Sequence, residues 1–347
     1  MLPNLSKTAR TIIAIIVLFF IVETLLILSN GRKSTQFYEF HHDPSPKPTD
    51  ALDWSRFAYS QYVTNTPYLC NSVMLFETLD RLESKADRIM MYPSDFLPDE
   101  NDNGTQSRLL RKARDEYKVK LVPIEIQSRS GGDATWAESF TKLLAFNQTQ
   151  YDRVLSLDSD ATMLQHMDEL FSMPPCPLAL PRAYWLSPKE RVLTSALLLV
   201  QPSHFEFNRI MKTIDAAGHS DYDMEIMNRL YGDSALILPH RPYTMLTGEL
   251  RNDDHSKYLG NSNETWNPDK VLKEAKFVHF SDWPVPKPWI TPTASIMDEK
   301  KPSCHLNISS GLLDDCRDRD HWLGLYADFT KRRKVLDTLL GITWNTS

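Results

Sequence analysis

Glycine is scarce, 11 residues in 347, which excludes a collagen-like or glycine-linker protein. Any basic excess is missing. Against 45 Asp and Glu stand 39 Lys and Arg, a net charge of -6, so the chain carries no electrostatic footprint for wrapping nucleic acid. Cysteine is rare too. Four residues are too few for a disulfide scaffold, and no C-x-x-C spacing points to zinc. What is present is 41% apolar content, enough to bury one sizeable core or two small ones.

One long apolar run occurs, from Thr11 to Ser29, broken only by Glu23. It is long enough to span a bilayer as a helix, and SNGRKSTQ after it offers no small-x-small cleavage site. The expectation is an uncleaved signal anchor behind a cytosolic tail of residues 1–10. Flanking charge does not orient it, because Lys7 and Arg10 on one side face Arg32 and Lys33 on the other. N-x-[ST] acceptors at Asn103, Asn147, Asn263, Asn307 and Asn345, together with all four cysteines, lie downstream of the run. They favour a body in the secretory lumen. Cys304 and Cys316 are close enough to close a small loop and form the first choice among the three pairings that four cysteines allow.

Residues 30–51 are polar, proline-bearing and without apolar periodicity, which reads as a stem. Residues 52–347 read as one α/β domain. RFAYSQYV, DRIMMY, VKLVPIEI and RVLSL read as strands, and NSVMLFETLDRLESKA, QSRLLRKARDEYK and WAESFTKLLAFNQTQ read as helices between them. That alternation predicts a parallel sheet with crossover helices. PLALPR, SALLLVQPS, SALILP and EAKFVHF add strands and DMEIMNRLYG a helix, with a less regular carboxyl-terminal part.

Asp158-Ser159-Asp160 follows the apolar run ending at Leu157, so two carboxylates emerge at a strand's carboxyl edge, where open α/β sheets bind ligands. Two acids so close repel unless a positive charge separates them. A divalent cation suits a crevice, and oxygen ligands suit Mg²⁺ or Mn²⁺, which complete their shells with phosphate oxygens. His279 follows another strand, and its imidazole beside two carboxylates favours Mn²⁺. Lys287, in the proline-dense SDWPVPKPW, can hold a diphosphate as a point charge.

The stretch SFTKLLAFNQTQYDRVLSLDSDATMLQHMDELF resembles the core of glycosyltransferase family 8, the retaining nucleotide-sugar transferases that include glycogenin. VTNTPYLCNSVML, TSALLLVQPS, DMEIMN and VHFSDWPVPKPW are similar to further family segments in the same order, so the likeness runs from about Arg56 to Trp289. It implies a GT-A-type, Rossmann-like mixed sheet flanked by helices, behind one transmembrane helix. The resemblance further implies a UDP-sugar donor, a glycan or glycoprotein acceptor, and Mn²⁺ (or Mg²⁺) on Asp158, Asp160 and His279. Ser159 would sit near the ribose. Val63, Thr64, Asn65 and Tyr68 match the turn cradling uracil and ribose. Lys142 matches a donor-contacting lysine, Lys287 the diphosphate contact, and Asp223 the acid near the transferred sugar.

Departures narrow the likeness. Thr194-Ser195-Ala196 stands where the family has N-S-G, Asp282 replaces a glycine, and two extra residues separate His279 from Lys287. With PHRPY and LTGELR, these features resemble the fungal Golgi N-acetylglucosaminyltransferase branch. Met224 takes the place of a glutamine behind the anomeric carbon and has no oxygen with which to attack. Unless Glu225 or Asp223 serves, double displacement is disfavoured and same-face attack is expected, with the acceptor entering on the side from which UDP leaves. The expected function is transfer of N-acetylglucosamine from UDP onto a mannose-containing glycan in the Golgi lumen by a type II membrane protein. Competing readings are UDP-glucose or UDP-galactose as donor, a non-catalytic glycan-binding relative, and a metal phosphohydrolase, for which no two-metal ligand cluster is visible.

Overall fold

The computed structural model describes residues 52–128, 138–261, 263–307 and 311–342. The expected tail, anchor and stem lie outside them. Among the described residues no helix is long and apolar enough to cross a membrane. A compact unit covers Asp53–Ser347.

Its main sheet has seven strands in the order β3-β2-β1-β4-β7-β6-β8. These are β1 (Phe57–Tyr62), β2 (Asp87–Pro93), β3 (Val119–Ile124), β4 (Arg153–Leu157), β6 (Leu178–Pro181), β7 (Leu197–Val200) and β8 (Leu236–Leu238). β1 to β4 pair in parallel, with α1 (Thr66–Arg81) and α2 (Thr105–Tyr117) as crossovers. β7 runs antiparallel to β4 and β6, so the sheet is mixed and the alternation of elements overstated its parallel character.

Both faces are covered. Phe57, Tyr59, Leu155 and Leu157 project into one core with α1 and α2, while Ala58 and Val154 project into the other with Phe140, Leu143 and Phe146. This two-sided burial explains why β4 is apolar on both faces at Val154, Leu155 and Leu157, with the small Ser156 alone between them. The second core also takes α3 (His204–Asp215) and α4 (Asp223–Tyr231), through Ile210, Ile214, Ile226 and Met227.

Helix α1 starts at Thr66, five residues ahead of the apolar stretch that predicts it, because the Asn65 side chain accepts from the Tyr68 backbone N–H at 3.2 Å. Such a cap is worth about 1 kcal/mol. The expected helix around Lys142 is a 3₁₀ run over Ser139–Asn147. A three-stranded sheet, order β5-β10-β9, joins β5 (Ala161–Met163), β9 (Met245–Leu246) and β10 (Phe277–His279).

The carboxyl-terminal part is more regular than its sequence suggested. α5 (Arg317–Leu340) is a 24-residue helix burying Trp322, Tyr326, Phe329, Arg333 and Leu336. Cys304 and Cys316 are joined, as expected, with their Cα atoms 4.3 Å apart. The bridge closes a hairpin of His305–Asn307 and Leu312–Asp315 at the start of α5. Cys70 and Cys176 are free. Asn103, Asn147 and Asn263 are exposed, as a glycan acceptor must be. Asn345 lies outside the described residues.

Candidate active site

Strand order places the site. β1 and β4 are neighbours, yet β1 leads on to β2 on one side while β4 leads to β7 on the other, so their carboxyl ends flank the topological switch point. Val63-Thr64-Asn65 leaves one end and Asp158-Ser159-Asp160 the other. The two are tied together: Gln61 Nε2 donates to the Leu157 carbonyl at 3.0 Å, and Ser72 Oγ of α1 donates to Gln61 Oε1 at 2.9 Å. Tyr62 Oη reaches Asp158 Oδ1 at 3.4 Å.

His279 arrives through sheet register. β10 pairs antiparallel with β5, setting His279 opposite Ala161, and the Phe280 N–H donates to the Asp160 carbonyl at 3.0 Å. Its Nε2 consequently lies 3.0 Å from Asp160 Oδ1 and 3.8 Å from Asp158 Oδ2. Asp158, Asp160 and His279 each offer one ligand atom within 4.8 Å of the others, so two hard oxygens and one imidazole nitrogen can hold a divalent ion.

Two lysines complete the electrostatics. Lys142 is 2% exposed and bridges Asp158 Oδ1 at 2.7 Å and Asp223 Oδ2 at 2.8 Å, donating also to the Ser195 carbonyl at 3.0 Å. A surface role for it is thereby excluded. Lys287 Nζ lies 2.8 Å from Asp160 Oδ2 and donates to the Phe280 carbonyl at 2.5 Å.

The resulting shifts differ between the two aspartates. Burial pushes the Asp158 carboxyl up and outweighs the lowering by Lys142 and His279, with the charges of Asp160 and Asp223 adding to the rise. Burial opposes the Asp160 charge as well, but His279 and Lys287 outweigh it and hold that carboxyl well below the usual range. Burial likewise disfavours the Lys142 charge, and Asp158 and Asp223 reverse the effect, leaving the ammonium above an ordinary lysine. Asp158 is thus the under-compensated acid. A cation at the three-atom site would relieve it, which is the test that the residues fit a metal.

The loop after His279 is anchored from behind by LTGELR. Thr247 Oγ1 donates to Asp282 Oδ2 and accepts from the Ser281 N–H at 3.2 Å, while Arg251 Nη1 donates to the Asp282 carbonyl at 3.0 Å. Gly248 passes so close that a Cβ there would stand 2.9 Å from the Ser281 carbonyl oxygen. At the far end of the loop Trp289 meets Tyr68 edge to face, with ring centroids 5.3 Å apart.

Lys142, Asp158, Asp160, Asp223, His279 and Lys287 therefore converge, although 145 residues of sequence separate the first from the last. Val63, Thr64, Asn65 and Tyr68 stand at the neighbouring strand end, and Ser159 is buried between the aspartates. Sequence reasoning missed Gln61, Tyr62, Thr247 and the structural role of Asp282. Their only signal was polar residues at the end of an apolar strand, and an acid where the family has glycine.

No protein-family model matches the chain. It is 59% identical over 299 residues to Glucose N-acetyltransferase 1 of Gibberella zeae, a match covering 84% of this chain and 65% of that protein's length. Glucose N-acetyltransferase 1 of Aspergillus fumigatus is 46% identical over 339 residues, covering 92% of this chain and 85% of that protein. Among solved structures, the WbbM bifunctional glycosyltransferase aligns with a TM-score of 0.51 at 15% identity, covering 70% of this chain and 48% of that one. That likeness speaks to fold alone. The mixed sheet with its switch-point site is the GT-A glycosyltransferase architecture, and by its identity to the fungal proteins the chain belongs to the glucose N-acetyltransferase family of glycosyltransferases.

Proposed function

We propose that this chain transfers N-acetylglucosamine from UDP-N-acetylglucosamine onto a mannose-containing glycan. The observation that carries the reading is the convergence of Asp158, Asp160 and His279 at the carboxyl edge of β4, with Lys287 against Asp160. Asp158, Asp160 and His279 would hold Mn²⁺, with Mg²⁺ as the alternative, and what the ion supplies when bound is neutralisation of charge on the departing diphosphate. Lys287 adds a second positive charge from the loop side. Val63, Thr64, Asn65 and Tyr68 line the uracil and ribose side, with Ser159 near the ribose.

Taken literally, the relatives' name denotes acetyl transfer to an amine. Paired carboxylates beside a lysine suit departure of a nucleoside diphosphate instead, and this favours transfer of the whole acetylated sugar.

Same-face attack is the mechanism that the residues support. Met224 has no nucleophilic atom, Glu225 Oε2 accepts from the Tyr222 backbone N–H at 3.0 Å, and Asp223 is paired with Lys142. With those side chains engaged, the acceptor hydroxyl enters beside the leaving diphosphate, whose oxygen takes its proton. Residues 11–29 as an uncleaved anchor and the sequons fit a type II protein of the Golgi membrane with its catalytic unit in the lumen.

The test is UDP release from UDP-N-acetylglucosamine, UDP-glucose and UDP-galactose, each with Mn²⁺ and mannose oligosaccharides. Release confined to UDP-glucose or UDP-galactose changes the donor. No release together with retained glycan binding favours the non-catalytic relative. Asp160→Ala is expected to abolish both Mn²⁺-dependent UDP binding and turnover, and unchanged UDP binding in that variant overturns the site.

A further inference from the structure

Trp283 is 91% exposed, the most exposed large apolar side chain among the described residues. Its neighbours are not loose. Asp282 before it is buried and held by Thr247, Tyr326 and Arg251, and Val285 after it is buried and donates its N–H to the Asp282 carbonyl at 2.9 Å. Trp283 therefore stands at the apex of a tight turn whose two ends are fixed. An indole left in water on an immobile mount forgoes the gain of burying its large apolar surface, so a ligand that covers it recovers that gain at little cost in ordering.

The position of the turn indicates which ligand. His279 lies four residues before Trp283 and Lys287 four after, and both touch Asp160. Trp283 therefore sits midway along the loop whose two ends present the groups that would hold a diphosphate. Under the same-face attack proposed above, on which this inference rests, the acceptor hydroxyl must arrive against that diphosphate. The acceptor saccharide consequently passes over the loop carrying Trp283. The apolar C–H face of a pyranose ring complements an aromatic plane in a way that a nucleotide phosphate or a charged peptide does not.

We propose that Trp283 is the stacking platform of an acceptor subsite, taking the C–H face of a hexopyranose of the acceptor glycan. The residue recognises acceptor and leaves donor and metal handling to the groups beneath it.

The experiment uses the full chain with Mn²⁺, UDP-N-acetylglucosamine, and mannobiose and mannotriose as acceptors. Trp283→Ala is expected to raise the acceptor KM about tenfold, the effect of losing one stacked ring. UDP affinity, acceptor-independent donor hydrolysis and thermal midpoint should stay at wild-type values. Trp283→Tyr is expected to restore most of the acceptor affinity and Trp283→Leu little of it. Unchanged acceptor KM in Trp283→Ala overturns the proposal. So does an effect confined to binding of anionic vesicles or to sedimentation, which would make Trp283 a membrane or self-association contact. Failure of the wild-type chain to bind UDP or release it from any sugar nucleotide is a different result, and it removes the transferase reading itself.

Discussion

The Asp282 carboxylate accepts a 2.8 Å hydrogen bond from the Tyr326 phenol, joining the loop between His279 and Lys287 to helix α5. Burial, with Asp282 adding to it, holds that phenol well above an ordinary tyrosine, so it stays a donor at any working pH. Tyr326→Phe leaves a buried carboxylate one donor short and should cost about 1–3 kcal/mol. The same variant is expected to weaken Mn²⁺-dependent UDP binding, because the loop that presents Lys287 loses one of its moorings. A denaturant titration and a UDP titration check both halves. Lower stability with undiminished UDP affinity would show that α5 does not position the loop.

Lys142 carries a second prediction. Removing it strands Asp158 and Asp223 in a buried setting, and loss of one partner from a buried ionic cluster costs about 3–5 kcal/mol. Lys142→Met should fold with a markedly lower thermal midpoint. Added Mn²⁺ should raise that midpoint more than it raises the wild type's, since the ion relieves the acid that the lysine formerly compensated. An equal rise in both proteins would place the ion elsewhere.

Acid sensitivity has a source away from the catalytic edge. Hydrogen bonds from Arg241 and then Lys270 hold the Glu264 carboxyl down at about 2. Because its folded value lies below the ordinary glutamate value, its contribution is complete above about pH 4.3 and is lost as pH falls towards 2. Thermal midpoints measured from pH 5 down to pH 2 should therefore fall less steeply in Glu264→Gln than in the wild type. Parallel curves would mean that this cluster does not contribute to the acid limb.

Legibility followed chemistry. The aspartate pair was readable because β4 is buried on both faces, so after Arg153 its residues are apolar apart from the small Ser156 and carry no charge until the strand ends. Lys142 and Asp223 were readable only through family resemblance, since nothing local reveals that a lysine on a 3₁₀ turn will be enclosed by two acids distant in sequence. The buried positions of α5, at spacings of four and three residues, carried a helical signal that the charged residues between them obscured. PHRPY and LTGELR looked like lineage marks. In the fold they are structural: Arg241 gathers Glu264 and Glu274, and Thr247 and Arg251 grip the loop after His279.

That α5 backs the loop has a bearing on where the enzyme ends. Every side chain of the proposed mechanism lies before Trp289, and a reader of motifs would draw the boundary there. Mechanically the unit runs about fifty residues further, to Leu340, because Tyr326 holds Asp282 within the loop and Phe329 packs on Phe280 and Trp289 at its two ends. A chain cut after Trp289 would keep the full reactive inventory and lose the beam that holds it in alignment.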